Sequence, residues 1–338
     1  MKNRIPLYFS YAIRCKLAHT IMHNYTAFGL TIQSEILFRE LLSIPYLVEN
    51  DVYDITIKLG SVDPHGITGL PPPKGVYYQV TPSELWLHVP DVARFRVTHG
   101  QQMIIEPLTN ADEDSIRLFV LGSCMGALLM QRNLFLLHGN AISINDVHCV
   151  SFVGYSGVGK STVSGAFFRR GYSILADDIC AINTQGRVMP SFPQMKLCAD
   201  AAQQLQIDTR SLSRVMPSLN KFAVPLGGQF HPVACPLKMV YVLETHHQDT
   251  ITIMPLVGME KLGALQHNLY RPQFLNERES VYTALKQCMQ IASQIDVARI
   301  TRPIKGFKLD ELVDVIEADL RKRGFMTKFA SSQLKEIS

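Results

Sequence analysis

The feature that most constrains this chain is a glycine-rich segment of the form G-x-x-x-x-G-K-[ST] near the middle of the sequence. An apolar run precedes the segment, and a helical pattern follows from Lys160 to about Arg170, where Gly171 ends the helix. This order predicts a phosphate-binding loop, because glycines let main-chain N–H groups turn inward and the helix N-terminus adds partial positive charge. A random chain of this length matches the pattern about once in a hundred sequences, and the flanking strand and helix make chance a poorer explanation.

The chemistry expected of this loop is the binding of ATP together with Mg²⁺. Lys160 would place a cation against the β- and γ-phosphates, and the hydroxyl of Ser161 would ligand the metal ion. The predicted nucleotide-binding residues are Gly154, Tyr155, Ser156, Gly157, Val158, Gly159, Lys160, Ser161 and Thr162.

Two adjacent carboxylates, Asp177 and Asp178, follow a predicted strand over residues 172–176. An isolated Asp-Asp pair is more often a solvated turn. A pair placed one helix and one strand after a phosphate loop favours function instead, since a carboxylate at this position typically holds Mg²⁺. One of the two can serve the metal ion while the other accepts a proton from an attacking hydroxyl.

His138 lies at the end of a strand predicted over residues 134–137, upstream of the hairpin that leads into the loop. A lone histidine is more often structural, and the pattern alone favours that interpretation. The functional interpretation is that His138 contacts the acidic pair or the phosphates and orients them.

The remaining pattern divides the chain into a β-rich region, residues 1–110, and a mixed α/β region, residues 111–338. Strands of the first region are predicted at 54–59, 76–80, 84–89, 94–98 and 102–106, with a surface loop at the proline run 71–73. In the second region, strands are predicted at 134–137, 141–144, 148–153, 172–176, 238–243 and 250–254, and helices at 115–132, 160–170, 273–293 and 309–323.

Composition narrows the class of protein. The net charge of +4 is dispersed, and no run of Lys or Arg suggests binding to nucleic acid. The seven cysteines form no C-x-x-C pair, which is typical of reduced thiols and predicts a cytoplasmic protein. The most apolar segment, residues 116–130, is too short to span a bilayer, and the basic start lacks the apolar core of a signal peptide. We therefore expect no membrane association.

These residues together carry a family resemblance. Leu137-His138-Gly139, the loop, Arg170-Gly171-Tyr172 and residues 175–178 resemble, in order and spacing, the catalytic core of HPr kinase/phosphorylase, which is similar to that of phosphoenolpyruvate carboxykinase. The resemblance implies an α/β P-loop core with a mixed sheet, preceded here by a smaller β-rich region. It implies catalytic roles for His138, Lys160, Asp177 and Asp178, and Mg²⁺ ligands in Ser161, Asp177 and Asp178. Asp178 is the expected proton acceptor and Asp177 its partner on the metal side.

The chain departs from HPr kinase proper after the aspartates. That family has an acidic Mg²⁺ ligand in the following stretch, whereas residues 190–197 here contain no glutamate. The whole chain more closely resembles HPr-kinase-like proteins found with ribosomally made peptides, among them the precursor kinases of lasso-peptide pathways, through residues 27–36, 117–123, 152–162, 189–197 and 220–222. This implies a serine hydroxyl near the C-terminus of a precursor peptide as acceptor.

Other interpretations stay open at this point. The acceptor could belong to HPr or to a small molecule, and a nucleotide-binding regulator without transfer activity is a third reading. Lys221 and Arg271 are candidate cations beside the transferred group, although the pattern alone favours a surface charge for each. The β-rich region is expected to bind a peptide by adding a strand to an exposed edge. HPr kinases are hexamers, so a homo-oligomer is also kept open.

Overall fold

A computed structural model describes residues 21–45, 52–70, 75, 77–216, 219–275, 277–306 and 308–326. The proline run 71–73 and Cys15 lie outside the described residues. The described strands form two eight-stranded sheets and one two-stranded hairpin, with helices packed on both sheets. The protein is therefore of mixed α/β class. No helix among the described residues is long and apolar enough to cross a membrane.

The first sheet comes entirely from the N-terminal region. Its strands are β1 (His23–Ala27), β2 (Leu30–Ser34), β3 (Leu42–Ser43), β4 (Ile55–Leu59), β5 (Tyr77–Thr81), β6 (Glu84–Val89), β7 (Ala93–Thr98) and β8 (Gln102–Pro107). The spatial order is β3-β1-β2-β4-β8-β7-β6-β5, and the pairs β2–β4 and β4–β8 are parallel. Alternation sets the buried face of β7, where Ala93, Phe95 and Val97 are buried. The five predicted strands are confirmed within one residue at each end, and β1, β2 and β3 were not individually predicted.

The helix predicted over residues 115–132 packs on this first sheet. It runs as α1 (Glu113–Phe119), a π-helical segment (Val120–Cys124) and α2 (Met125–Gln131). The side chain of Asp112 caps its start by accepting a hydrogen bond of 2.8 Å from the main-chain N–H of Ser115. The buried face of this helix shares one apolar cluster with strands of the first sheet. A division of the chain at residue 110 stays a prediction.

The second sheet carries the glycine-rich loop. Its strands are β9 (Phe135–Ser143), β10 (Cys149–Val153), β11 (Ile174–Ala176), β12 (Ile179–Ile182), β13 (Arg187–Val188), β16 (Cys235–His246), β17 (Thr252–Pro255) and β18 (Asp296–Pro303). β10 pairs parallel with β16, which pairs parallel with β18, so their carboxyl ends lie at the same edge. β9 and β16 are joined both through β10 and through the pair β12–β13.

Two faces of this sheet are covered by different helices. These helices are α3 (Lys160–Arg169), α4 (Ala199–Gln204), α5 (Gly258–His267), α6 (Arg278–Gln294) and α7 (Leu309–Lys322). α3, α4 and α7 share one core cluster with Val150 and Phe152 of β10. α5 and α6 share another cluster with Cys149 and Val153 of the same strand. The remaining strands, β14 (Gln194–Cys198) and β15 (Lys221–Pro225), form a separate antiparallel hairpin.

Several element predictions were wrong in their bounds. The strands predicted at 134–137 and 141–144 are one strand, β9, and His138 lies in its middle rather than at an end. Gly139 does not break the strand but allows β10 to approach, because a Cβ there would lie 2.5 Å from the carbonyl oxygen of Phe152. The helix predicted at 273–293 begins only at Arg278, after a 3₁₀ turn at Pro272–Phe274. α5 and β18 were not predicted at all.

Candidate phosphate-binding site

The glycine-rich loop connects β10 to α3, as the pattern predicts. Gly154, Gly157 and Gly159 have φ values of 144°, 86° and 105°, in the region that favours glycine. At Gly154 a side chain is excluded for a second reason, since a Cβ would lie 2.7 Å from the carbonyl oxygen of Leu243 on β16. The loop is therefore pressed against the sheet, and its glycines are required by geometry.

The side chain of Lys160 lies inside the loop and hydrogen-bonds to its main chain. Its ammonium donates to the carbonyl oxygens of Gly154, at 2.8 Å, and Tyr155, at 3.2 Å, and the residue is only 9% exposed. Burial lowers the pKa of Lys160, and the carboxylate of Asp178 opposes that shift. Arg302, at the end of β18, donates from Nη2 to the carbonyl oxygen of Val158 at 2.7 Å and braces the other side of the loop.

The loop fits a polyphosphate. The N–H groups of the first turn of α3 have no acceptor within the helix, so they can receive an anion. Ser161 and Thr162 in that turn are partly exposed, and both line a cavity of about 400 Å³. Cations from three separate elements, Lys160, Lys221 and Arg302, line the same cavity.

Asp177 is buried at the bend between β11 and β12, with 4% exposure. Its Oδ1 accepts from the side-chain amide of Asn140 at 2.5 Å, and its Oδ2 accepts from the main-chain N–H of Lys196 at 2.9 Å. Burial raises the pKa of Asp177 to about 6, although the nearby charge of Lys196 opposes the shift. The first of the two predicted acids is therefore fixed by two N–H donors.

Asp178 has a different environment although it is the next residue. Its φ of 72° turns the chain sharply, and its carboxylate lies 3.3 Å from Nδ1 of His138 and 3.4 Å from Nζ of Lys196. Burial by itself raises the pKa of Asp178, but the charges of Lys196 and His138 outweigh it, so the net shift is downward. Asp178 is thus held ionised and about one-third exposed.

His138 faces Asp178 because β9 and β12 pair with His138 opposite Ile179. Its ring centroid lies 5.9 Å from that of Tyr270, which is buried. Burial lowers the pKa of His138, and the charge of Asp178 opposes the shift. His138 thus contacts the acidic pair through Asp178, and its functional role stays a prediction.

Two cavities meet at this histidine and aspartate. The cavity of about 400 Å³ beside the loop, which we call the phosphate cavity, is lined by Asp177, Lys160 and the first turn of α3. A second cavity, of about 590 Å³, is lined by Gly154, Tyr155 and Arg271 among others. His138 and Asp178 line both cavities. A group bound on the loop and a group bound in the second cavity would therefore meet at Asp178.

The hairpin β14–β15 supplies a cation that sequence reasoning missed. Lys196 lies on the hairpin face opposite to Met195 and Leu197, both of which are fully buried. Its side chain is 14% exposed and lines the phosphate cavity beside the acidic pair. The alternating pattern of residues 194–198 predicts a strand with Lys196 on its polar face, and that signal was available in the sequence.

The predicted site residues distribute as follows. Most of the loop lines the phosphate cavity, Gly154 and Tyr155 line the second cavity, and the side chain of Val158 packs in the core. The structure brings Lys221 to the phosphate cavity and Arg271 to the second cavity. Within the described residues, no three His, Cys, Asp or Glu side chains cluster to hold a metal ion. The magnesium ligands Ser161, Asp177 and Asp178 share one cavity and stay a prediction.

Solved structures resemble this chain only distantly. The solved HPr(Ser) kinase/phosphatase from Coxiella burnetii is similar over 56% of this chain and 98% of its own, with 12% identity and a TM-score of 0.29. At that TM-score the likeness carries no conclusion about function. No family model matches the chain, and no curated protein matches it.

Proposed function

We propose that this chain is an ATP- and Mg²⁺-dependent kinase that transfers the γ-phosphoryl group to a hydroxyl. The observation that carries the proposal is the position of Asp178 and His138 in the wall shared by the two cavities. An in-line transfer needs a donor on one side and an acceptor on the other side of one reacting centre. A nucleotide-binding regulator has no need of a second cavity that opens on the same carboxylate.

The residues have distinct roles in this reaction. Asp178 accepts the proton of the acceptor hydroxyl as its oxygen bonds to phosphorus, while the bond between phosphorus and the departing ADP oxygen breaks. His138 orients Asp178, and Lys160 with the first turn of α3 holds the phosphates. Mg²⁺, when bound by Ser161 and the acidic pair, supplies neutralising charge to the phosphates.

For the acceptor, we propose a serine hydroxyl near the C-terminus of a ribosomally made, lasso-type precursor peptide. The second cavity has a volume in the range of small-ligand sites, so it admits one or two residues of a peptide rather than a folded protein. Arg271 offers it a cation whose Nε finds no partner within the described residues. A small hydroxy compound fits the same volume, so it is the competing acceptor.

Nucleotide binding can be tested through Cys198, an exposed thiol that lines the phosphate cavity. Cys15 lies outside the described residues, so the test uses a Cys15→Ser background. Mg²⁺-ATP should slow alkylation of Cys198 at least about tenfold, as expected for occupancy near 90% at saturating ligand. Equal alkylation rates with and without nucleotide at millimolar concentration would mean that the loop binds no ATP.

Transfer itself is tested with radiolabelled ATP against three acceptor classes: precursor peptides with a C-terminal serine, HPr, and small hydroxy compounds. Labelled peptide serine would support the proposed acceptor, and label in only one of the other classes would replace it. The Asp178→Asn variant is the control, and it should lose about 10³-fold in rate while still protecting Cys198. Nucleotide protection without transfer to any acceptor would favour the regulator.

A further inference from the structure

Lys196 is the one described residue that contacts both aspartates. Its main-chain N–H donates to Oδ2 of Asp177 at 2.9 Å, and its ammonium lies 3.4 Å from Oδ2 of Asp178. The side chain is 14% exposed, whereas that of Lys221 on the same hairpin is exposed. An ordinary surface ion pair contributes little to stability, because its side chains are exposed and mobile. Lys196 differs from such a pair because its side chain is mostly buried.

The fold leaves this lysine no other direction. Met195 and Leu197 on one side of it, and Val224 on the partner strand, belong to the buried core cluster. Strand alternation therefore directs Lys196 to the opposite face, towards the acidic pair. Ala223 lies directly across from Lys196 in the register, so no large side chain competes for that space.

Charge balance gives this placement a consequence. Two adjacent carboxylates at the end of a phosphate-binding cavity repel an incoming triphosphate unless a cation lies between them. Mg²⁺ bound between the acids and the phosphates supplies part of that charge, and in a site with acidic ligands alone the remainder would have to come from a further divalent ion. Here a covalently attached ammonium already lies 3.4 Å from Asp178, and its charge also acts on Asp177.

We propose that Lys196 is a positioning residue that takes the place of a second metal ion, so that the chain holds one divalent ion per bound nucleotide. The inference rests on the proposed function, because it assumes that a nucleotide occupies the loop. It assigns to residues 190–197, where no glutamate stands, a fixed positive charge instead of a metal ligand. The ammonium fixes Oδ2 of Asp178 from the side of the phosphate cavity and reduces repulsion of the phosphates.

The direct test counts Mn²⁺ by electron paramagnetic resonance on the full chain saturated with a non-hydrolysable ATP analogue. Wild type should hold one Mn²⁺ per chain. Lys196→Gln should gain a second, weaker site, and Lys196→Arg should stay at one. The control Lys58→Gln, which changes an exposed lysine outside both cavities, should also stay at one. Two ions in wild type, or no second ion in a folded Lys196→Gln protein, would overturn the role of Lys196.

Kinetics give a second readout. In Lys196→Gln, kcat should fall about 100-fold, as for loss of one preorganised charge, with KM for ATP changed less than about threefold. Raising Mg²⁺ should recover part of kcat in this variant and leave kcat of the control Lys58→Gln unchanged. An unchanged kcat, or a loss that Mg²⁺ does not relieve, would count against the proposal. Failure of wild type to bind the analogue would overturn the proposed kinase function too, whereas binding with two ions would overturn only the role of Lys196.

Discussion

The two eight-stranded sheets use similar strands for different purposes. Among the described residues, the first sheet contributes no side chain to either cavity that meets at Asp178. The second sheet places three parallel strands, β10, β16 and β18, with their carboxyl ends at one edge. Gly154, Glu244 and Arg302 at or just beyond those ends all line the cavities. Ligand sites outside the carboxyl ends of parallel strands are a general property of α/β sheets.

The first sheet nevertheless supports the site from behind. Its covering helix packs against Tyr270, because Gly126 of α2 leaves the space that the ring occupies. Tyr270 in turn lies beside His138. The two sheets thus differ in their distance from the candidate site. The second sheet lines both cavities, and the first reaches a neighbour of His138 through its covering helix.

The largest expected effect is that of Lys160→Met in the second region. Transfer should fall about 10³-fold or more, because the cation against the phosphates is lost. The melting temperature should hold or rise, since replacing a buried charge with an apolar chain of similar length is often neutral or stabilising. The matched control in the first sheet is Lys58→Met, an exposed lysine on β4, which should change neither property. Equal losses of transfer activity in the two variants would contradict the view that only the second sheet carries the site.

Local patterns explain why this part of the site could be predicted. The strand, the loop and the helix 160–169 are contiguous, and so are β11 and the acidic pair, so short-range periodicity and glycine positions suffice to find them. Five of the eight strands of the first sheet were predicted for the same reason. The sharp bend at Asp178 suits its residue type, since Asp adopts positive φ more readily than most residues.

Long-range pairing explains what could not be predicted. Lys196 reaches the aspartates because residues 194–198 pair with residues 221–225, and nothing local states which hairpin will meet which acid. β9 runs through Gly139 without interruption because β10 approaches closely there. From sequence alone, a glycine at this position predicts the end of a strand. Likewise, Tyr270 and Gly126 are far apart in the chain, and their contact depends on how the two sheets pack.

The second prediction concerns the pH dependence that the buried Asp177 imposes on stability. Burial raises its pKa from 3.8 to about 6, so folding favours the protonated acid. This contribution is fully present below pH 3.8 and is lost as the pH rises through about 6. The loss is on the order of 3 kcal/mol for a pKa rise of this size.

Denaturant titrations of wild type and Asp177→Asn, without nucleotide or Mg²⁺, would measure this effect. The variant loses one hydrogen bond at every pH, but it lacks the acid. As the pH rises from about 4 to 7, wild type should therefore lose stability relative to the variant, and the difference between their free energies of unfolding should shift in favour of the variant. A difference that stays constant over this range would show that Asp177 is ionised throughout.

The third prediction compares two helical glycines. Gly126→Ala should destabilise the chain by about 2 kcal/mol, because the new Cβ would lie 2.5 Å from the ring of Tyr270. Gly263→Ala in α5 meets no atom within 4 Å and should stabilise by about 0.5 to 1 kcal/mol. Transfer activity should fall only in Gly126→Ala, since displacement of Tyr270 disturbs His138. Stabilisation by both substitutions would mean that the helix covering the first sheet does not support the site.

The smallest effect is expected at Asp112, which caps the helix that packs on the first sheet. Its hydrogen bond with Ser115 lowers its pKa below the usual 3.8, so the ionised form is favoured on folding. The stabilisation is therefore present above pH 3.8 and is lost as the pH falls through the lower, folded-state pKa. Asp112→Ala should cost about 1 kcal/mol at pH 7, whereas Asp112→Asn should cost less because an amide oxygen still caps the helix.

Because Asp112 is exposed and Asp177 is buried, acidification should weaken the first contribution and strengthen the second. Urea melts of wild type and both variants at pH 7 and pH 3 would test this, and a wild-type advantage over Asp112→Ala that persists undiminished at pH 3 would contradict it.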